Sequence, residues 1–337
     1  MQLDPLFRIV DVDAANACHV RTIFQSLYGE DFPVKDVYHP EVLSGEIRAG
    51  RLIAGLAFDA QERPVGYISL FKPAPNPRLW EAAGLAVVPG YSRTDLSSIL
   101  VRYGLDIAAR PMMDMDGIFC EAVCSHYFSQ VILAKNGFTD CGFLLDELDG
   151  ASFKDGKSNR AGSARVSCVF TFGETTAPSE TEYIPARYEG MLHRIAATLR
   201  PRTLSPSTAT LPAEGATILE DKYFSSARTW KLAVSRIGGD WPAVADRILS
   251  EARQRQAISL QVVLNMDCPC ISAAVEILRD RGFFFGGMAP RWFGTDGLLM
   301  QQLFSSATEY EQIKVYTPMA KELLSFVRSD RETAKEN

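Results

Sequence analysis

Two carboxylates stand inside apolar, strand-like runs, where a carboxylate is most useful to chemistry. Glu81 lies in LWEAAGLAVV and Glu121 in GIFCEAVC. Apolar surroundings raise a carboxyl pKa toward the range in which it can take a proton at neutral pH. Each has a plainer reading as well. Glu81 also fits a solvated residue at a strand start, and Glu121 also fits the partner of a cation. Downstream, Ser92-Arg93-Thr94-Asp95-Leu96-Ser97 leads into an amphipathic stretch, 94–109, with Leu96, Ile99, Leu100, Tyr103 and Ile107 on one side. The start of such a helix exposes unpaired N–H groups and a partial positive charge, which can hold a pyrophosphate.

Other reactive side chains give less. Cys268-Pro-Cys270 is tight for a zinc knuckle, and no second pair stands at metal spacing. Several of the seven cysteines fall in apolar runs, where free cysteine behaves as a small hydrophobe, and a reduced, cytoplasmic protein is expected. Histidines at 19, 39, 126 and 193 form no Ser-His-Asp arrangement, and His126 reads first as a helix cap or surface residue. The stretch FFFGGMAPRWFGTDG lacks the strand–GxGxxG–helix order of a dinucleotide site.

The elements that must position these groups follow from periodicity. Strands are expected at 7–12, 52–58, 65–71, 79–88, 117–124, 138–148 and 165–172. Helices are expected at 14–27, 39–49, 94–109 and 127–136. A polar loop is expected at 150–163, a helix at 183–199 and a Ser/Thr/Pro-rich linker at 201–215. Strands then resume at 217–223 and 227–236, followed by a helix at 241–254 with Asp240 as N-cap. A strand at 258–265, a helix at 271–281 and strands at 283–288, 297–304 and 313–316 come next. A helix at 318–327 precedes a charged tail expected to fray.

One phrase occurs twice. ILAKNGFTDCG at 132–142 and ILRDRGFFFGG at 277–287 both fit I-L-x-x-x-G-F-x-x-x-G, 145 residues apart. Each follows a strand-like run ending near a cysteine. Repetition of a whole strand–helix–strand unit predicts two related domains, although C-capping alone also favours Gly-Phe after a helix.

The element order, with LAVVPGYSRTDLSSIL at 85–100 and SHYFSQVILAKNGFTDCGFLL at 125–145, resembles the GNAT superfamily of acyl-CoA-dependent N-acyltransferases. Leu85, Ala86, Val87, Pro89, Tyr91, Leu96 and Leu100 match the apolar and turn positions of the family's L-A-V-x-P-x-Y-R-G-x-G-I-G-x-x-L stretch. The resemblance implies an α/β fold with a mixed, mostly antiparallel sheet flanked by helices. It implies a GNAT-like acyl-CoA-binding domain at 1–175, a helix and linker at 176–214 and a degenerate GNAT-like copy at 215–330. Two strands should splay near residues 87–89 and Ala122. Acetyl-CoA or another acyl-CoA is the implied co-substrate, held by Val87, Val88, Ser92, Arg93, Thr94, Asp95, Leu96 and Ser97. The acceptor is a small-molecule or peptide amine, and Trp80 and Tyr91 are candidates to line its pocket. Glu81 stands where family members with a carboxylate base place theirs.

The sequence also departs from the family. The phosphate motif Q/R-x-x-G-x-G/A falls on residues 92–97 and keeps none of its defining positions. Asp95 stands at a glycine position beside the expected anion, where repulsion at about 4 Å and an effective dielectric of about 20 costs about 4 kcal/mol per charge pair. The tyrosine many members use as general acid falls on Leu133, and on Leu278 in the second copy, which leaves Tyr127 as the nearest substitute. The alternative is a catalytically degenerate GNAT-like protein that binds a ligand or partner.

Composition narrows the classes. With 337 residues, 47% hydrophobic and 23% charged, the chain has the profile of a globular protein of two domains. A net charge of −6 supplies no basic field for nucleic acid. No run of about 18 apolar residues suggests a membrane span. The N-terminus has neither the basic nor the apolar region of a secretory signal.

Overall fold

The computed structural model describes residues 6–30, 32, 34–108, 110, 113–150, 165–304 and 308–335. The expected loop at 150–163 lies almost wholly outside them, as does the end of the helix expected at 94–109.

The first half runs β1 (Arg8–Asp11), α1 (Cys18–Tyr28), α2 (Pro40–Arg48), β2 (Leu52–Phe58), β3 (Pro64–Phe71) and β4 (Leu79–Val87). It continues with α3 (Leu96–Ala108), β5 (Gly117–Val123), α4 (Phe128–Lys135), β6 (Thr139–Asp149) and β7 (Arg165–Glu174). Alternation along the strands sorts two cores. Ala57, Ile68, Leu70, Trp80, Ile118 and Cys120 pack with Leu96, Leu100 and Ile107 of α3. Leu56, Tyr67 and Ala86 pack on the other face with Val20, Ile23 and Phe24 of α1.

The middle of the chain departs from expectation. Residues 181–184 form β8 (Thr181–Ile184) rather than the start of a helix, and only α5 (Glu189–Ala196) is α-helical. The Ser/Thr/Pro-rich segment contributes β9 (Thr203–Pro206), which pairs parallel with β8. Ser207 then donates its hydroxyl to the Pro269 carbonyl. The segment is stitched down by backbone and hydroxyl bonds that composition does not reveal.

The second half has β10 (Ile218–Phe224), β11 (Thr229–Arg236), α6 (Trp241–Gln254), β12 (Ser259–Asn265), α7 (Ile271–Arg279), β13 (Phe284–Ala289), β14 (Gly297–Leu303) and α8 (Pro318–Lys335). The expected strand at 313–316 is instead an extended segment. Lys314 donates its N–H to the Cys124 carbonyl, and the Gln130 amide bonds the Lys314 carbonyl and the Tyr316 N–H. The expected frayed tail is helical through Lys335, because Leu323, Val327 and Ala334 are buried and Asp330 pairs with buried Arg279 at 3.0 Å.

The two separate sheets implied by two domains are one. Twelve strands run in the order β1-β2-β3-β4-β5-β7-β6-β13-β14-β12-β11-β10. The halves share a connectivity. β3-β4-β5-β7-β6 and β10-β11-β12-β14-β13 are both paired antiparallel, parallel, antiparallel and antiparallel in that order. α3 and α6 make the equivalent parallel crossovers, and α4 and α7 follow in equivalent places. The halves join where β6 meets β13 through Gly142↔Gly287. Those are the last residues of the repeated phrase, paired with each other. Joining the two removes sheet edges that would otherwise be exposed.

Candidate functional site

The parallel pair β4–β5 is brief. Leu79↔Gly117, Trp80↔Ile118 and Glu81↔Phe119 are in register, and beyond them the strands part. β4 runs on to Val87 against β3 alone, with a bulge between Ala83 and Ala86 where Gly84 adopts φ +65°. Bulges re-aim a strand and end its pairing. Val88 donates its N–H to the Val65 carbonyl at 3.0 Å, so that N–H is not free for a ligand. Backbone direction alternates along an antiparallel ladder. Ala86 therefore faces β3 as Val88 does, while the N–H group of Val87 between them turns toward the gap. In the second half the equivalent pair stays closed, in register from Thr229↔Ser259 to Val234↔Leu264.

Residues 92–97 lie at the open end of the gap and lead into the first turn of α3. Ser92 and Thr94 donate their hydroxyls to the carbonyls of Pro89 and Tyr91, at 2.9 and 2.7 Å. The Asp95 carbonyl accepts the Ile99 N–H. Ser92, Arg93, Thr94 and Asp95 are exposed, whereas the Leu96 side chain is fully buried and can offer a ligand only backbone. Ser97 and Ser98 fall in the first turn, whose N–H groups have no partner within the helix. Tyr91 braces this turn: its hydroxyl donates to Asp59 at 2.6 Å and accepts from Arg63 at 3.0 Å. Burial opposes the charge on Asp59, but Tyr91, Arg63 and backbone N–H groups outweigh it and hold the carboxyl well below its usual range.

The second half has no such opening at its counterpart of this turn. Thr217 donates both its N–H and its hydroxyl to Asp240 at 2.8 Å, and Gly239 donates its N–H to the Gly215 carbonyl at 3.0 Å. Asp240 thus precedes α6 as expected, but its carboxylate binds Thr217 rather than capping the helix. A Cβ on Gly238 would lie 2.3 Å from the Gly215 carbonyl oxygen. Residues 212–217 cover the position.

Glu81 stands where the strands part. Trp80 and Ala82 face α3, and Glu81 points to the opposite face, into a cavity of about 250 Å³ shared by the two halves. Phe119, Glu121 and Phe170 line it from the first half, and Lys231, Gln261 and Val263 from the second. Lys231 pairs with Glu121 and lies 2.6 Å from Glu147 Oε1. Among the described residues, the Glu81 carboxylate has no hydrogen bond and no ion pair. Burial pushes its carboxyl up to about 7, with Lys231 opposing and Glu147 reinforcing. Burial, and then Glu147, raise Glu121 well above the carboxylate range. Burial works against the charge on Lys231, but Glu121, Glu147 and Glu81 overcome it and raise its pKa.

The other candidates fall elsewhere. Tyr127 precedes α4, is 47% exposed and does not line this cavity. Leu133 is buried in the α3 core. Trp80 lines a second cavity, of about 620 Å³, with the Lys72 ammonium 4.5 Å from its ring centre. Tyr91 lines neither. Cys268 and Cys270 bring their sulfurs to 3.0 Å as free thiols. No group of three or more metal-ligating side chains occurs among the described residues, and none of their helices is long and apolar enough to cross a membrane. Lys231 and Gln261 escaped the sequence reading. One signal was present: Trp230-Lys231 in the second half answers Trp80-Glu81 in the first.

The order β1-β2-β3-β4-β5-β7-β6, with its single parallel pair splayed after three residues, gives the first half a GNAT fold. Solved structures similar to this chain include a spermidine/spermine N-acetyltransferase from Vibrio cholerae, 12% identical over 50% of this chain and 92% of that one, at TM-score 0.38. Another is the ribosomal-protein-S5-alanine acetyltransferase of Vibrio fischeri, 12% identical over 52% and 95%, at 0.40. A third is the Vibrio cholerae spermidine N-acetyltransferase in complex with CoA and spermine, 12% identical over 51% and 96%, at 0.40. No protein-family model and no curated protein matches the sequence.

Proposed function

We propose that this protein is an acyl-CoA-dependent N-acyltransferase, acting from acetyl-CoA or another acyl-CoA on a small-molecule or peptide amine. One observation carries the reading. At the point where β4 leaves β5, an unengaged carboxylate with a pKa of about 7 faces a cavity. Such a group is charged in about half the molecules at neutral pH and can accept a proton from an amine. The N–H group of Val87 turns toward the gap and suits a thioester carbonyl. The first-turn N–H groups at Ser97 and Ser98 suit the pyrophosphate. Glu81 takes the proton directly or through one water. Tyr127 is too exposed to hold a special position, so the leaving thiolate draws its proton from it or from solvent. The division into related domains at 1–175 and 215–330, joined by 176–214, belongs to the same proposal. The shared connectivity supports it, and the closed β11–β12 pair supports a second copy without a donor slot of its own.

The second reading, a GNAT-like protein that binds without catalysis, draws on residues 92–97, where two hydroxyls are turned inward to carbonyls. Calorimetry with acetyl-CoA separates the two. The expected result is saturable binding at micromolar to millimolar ligand, with thiol release when an amine acceptor is added. No heat and no thermal shift at millimolar acetyl-CoA removes the transferase reading.

Asp95→Gly tests the loop. Asp95 is exposed, so its repulsion of a phosphate lies nearer the value in water, about 1 kcal/mol at about 4 Å, than the 4 kcal/mol of a half-buried site. The variant should tighten acetyl-CoA binding by about threefold to tenfold at low ionic strength, and less at high salt. An unchanged Kd at low salt would show that the phosphates do not lie beside Asp95.

A further inference from the structure

The shared connectivity puts Glu81 and Lys231 in equivalent places. Each occupies the third position of its half's parallel pair, after a tryptophan, as Glu81↔Phe119 and Lys231↔Gln261. Both face the same cavity. The second half therefore turns the face equivalent to the proposed base inward, with an ammonium in place of the carboxylate. That ammonium does not leave the cavity positive. Lys231 is shared between Glu121 and Glu147, two carboxylates for one lysine, and Glu81 adds a third. Lys222, at the rim, lies beside two further acids, Glu220 and Asp221. Asp221 accepts the Trp230 indole N–H at 2.8 Å.

A second feature points to a ligand. Gln261 is 2% exposed and lines the cavity, and its Nε2 has no hydrogen-bond partner among the described residues. A buried amide without a partner costs about 1–3 kcal/mol, which a bound polar group would relieve. A half-turn about its last torsion presents the oxygen, an acceptor for an ammonium.

We propose that the cavity seats an acceptor carrying a second protonated nitrogen, with the reacting amine at Glu81 and the distal ammonium held by Glu121 and Gln261, while Lys231 stays on the buried Glu147. This rests on the transferase reading for the role of Glu81. Glu121 lies one strand over from Glu81 and two residues along, roughly 8 Å between Cα atoms from strand geometry. A spacer of a few carbons bridges that span. A carboxylate on the acceptor would meet Glu81, Glu121, Glu220 and Asp221 against Lys222 and an already committed Lys231, so amino acids are poor candidates. An acceptor with a plain alkyl tail leaves Gln261 and Glu121 without a partner.

The charge balance gives this seat a pH signature. When empty, it holds protons on Glu81 and Glu121, because burial disfavours their charge. A dication displaces those protons. Affinity should therefore rise with pH through the titration of Glu81 near 7, by up to tenfold per unit for each proton released, and go on rising while Glu121 still holds its proton. Glu81 faces Lys231, Glu147, Lys222 and Glu121, and Glu121 faces Glu147, Lys231 and Glu81, and each enters this balance.

The test is calorimetry on the full chain without acyl donor, using three probes of equal length: 1,4-diaminobutane, butylamine and 4-aminobutanoate. The diamine should bind at least about tenfold tighter than butylamine, with 4-aminobutanoate weakest. The heat should depend on the buffer in the sense of proton release. Glu121→Gln should narrow the diamine–butylamine ratio to about threefold or less. Equal binding of diamine and butylamine by the unaltered protein, or preference for 4-aminobutanoate, overturns the proposal without needing the variant. If acetyl-CoA fails to bind while the diamine order holds, the transferase reading falls and the seat stands. If acetyl-CoA binds and the order fails, only the seat falls.

Discussion

Replacing Glu81 with Gln is expected to lower kcat by about 10²–10⁴, the usual span for a lost general base. The substitution keeps size and shape, and among the described residues the Glu81 carboxylate has no hydrogen bond or ion pair to lose, so stability should barely move. The pH profile carries the sharper signature. The base must be unprotonated to act, and burial raises the Glu81 carboxyl to about 7. In the unaltered enzyme kcat should fall about tenfold per pH unit below about 7 and level off above it. In Glu81→Gln that acidic limb should vanish, leaving a low, flat rate. The fall in rate alone does not suffice, because a distorted pocket also slows turnover. Loss of the limb does, because only removal of the titrating group removes it. The measurement is a free-thiol assay with saturating acyl-CoA and amine between pH 5.5 and 9. An unchanged kcat, or a limb that survives in the variant, takes Glu81 out of the mechanism.

What the sequence revealed of this site and what it hid have separate physical causes. Glu81 was visible because a lone carboxylate in an apolar, period-two run is itself a local anomaly, and the strand around it is local too. The unit around α4, and its repeat at α7, was visible because the Gly-Phe phrase caps each helix. Lys231 was not visible, because its meaning depends on Glu121 and Glu147, which lie 110 and 84 residues earlier and reach it only through the curl of the sheet. The joining of two sheets was hidden for a similar reason. Which edge strand pairs with which is a non-local choice, and β6 and β13 carry no charge pattern that selects a partner. The Ser/Thr/Pro-rich segment misled because its hydroxyls serve buried carbonyls, as Ser207 does at Pro269, where composition suggests solvent. The tail misled because the charged residues of α8 alternate with Leu323, Val327 and Ala334, and Arg331 is buried by bonding Thr308.

The junction makes the second large expected effect. Gly287→Ala should destabilise the protein by about 2–6 kcal/mol, from about 1–3 for backbone strain and about 1–3 for overpacking. Gly287 adopts φ +140°, a conformation that side-chain-bearing residues rarely enter. A Cβ there would lie 2.2 Å from the Gly142 Cα and 2.5 Å from the Cys141 carbonyl oxygen. Both obstacles are backbone, so no rotamer change relieves them and the strands must move apart. Gly142 is in the same position, with a Cβ meeting the Gly286 carbonyl oxygen at 2.9 Å. The repeated phrase thus ends in glycine twice because the two copies touch there, main chain against main chain. Gly190→Ala in α5 is the control of opposite sign. Nothing lies within 4 Å of its added Cβ, and alanine favours a helix over glycine by about 1 kcal/mol. Thermal unfolding should show the junction variant several degrees below the parent and the helix variant at or slightly above it. The cavity spans the same junction, so Gly287→Ala should also weaken diamine binding while sparing acetyl-CoA binding at the β4–β5 gap. If it melts with the parent and binds both ligands as the parent does, the close contact of the two halves at Gly142 and Gly287 is not what holds the sheet together.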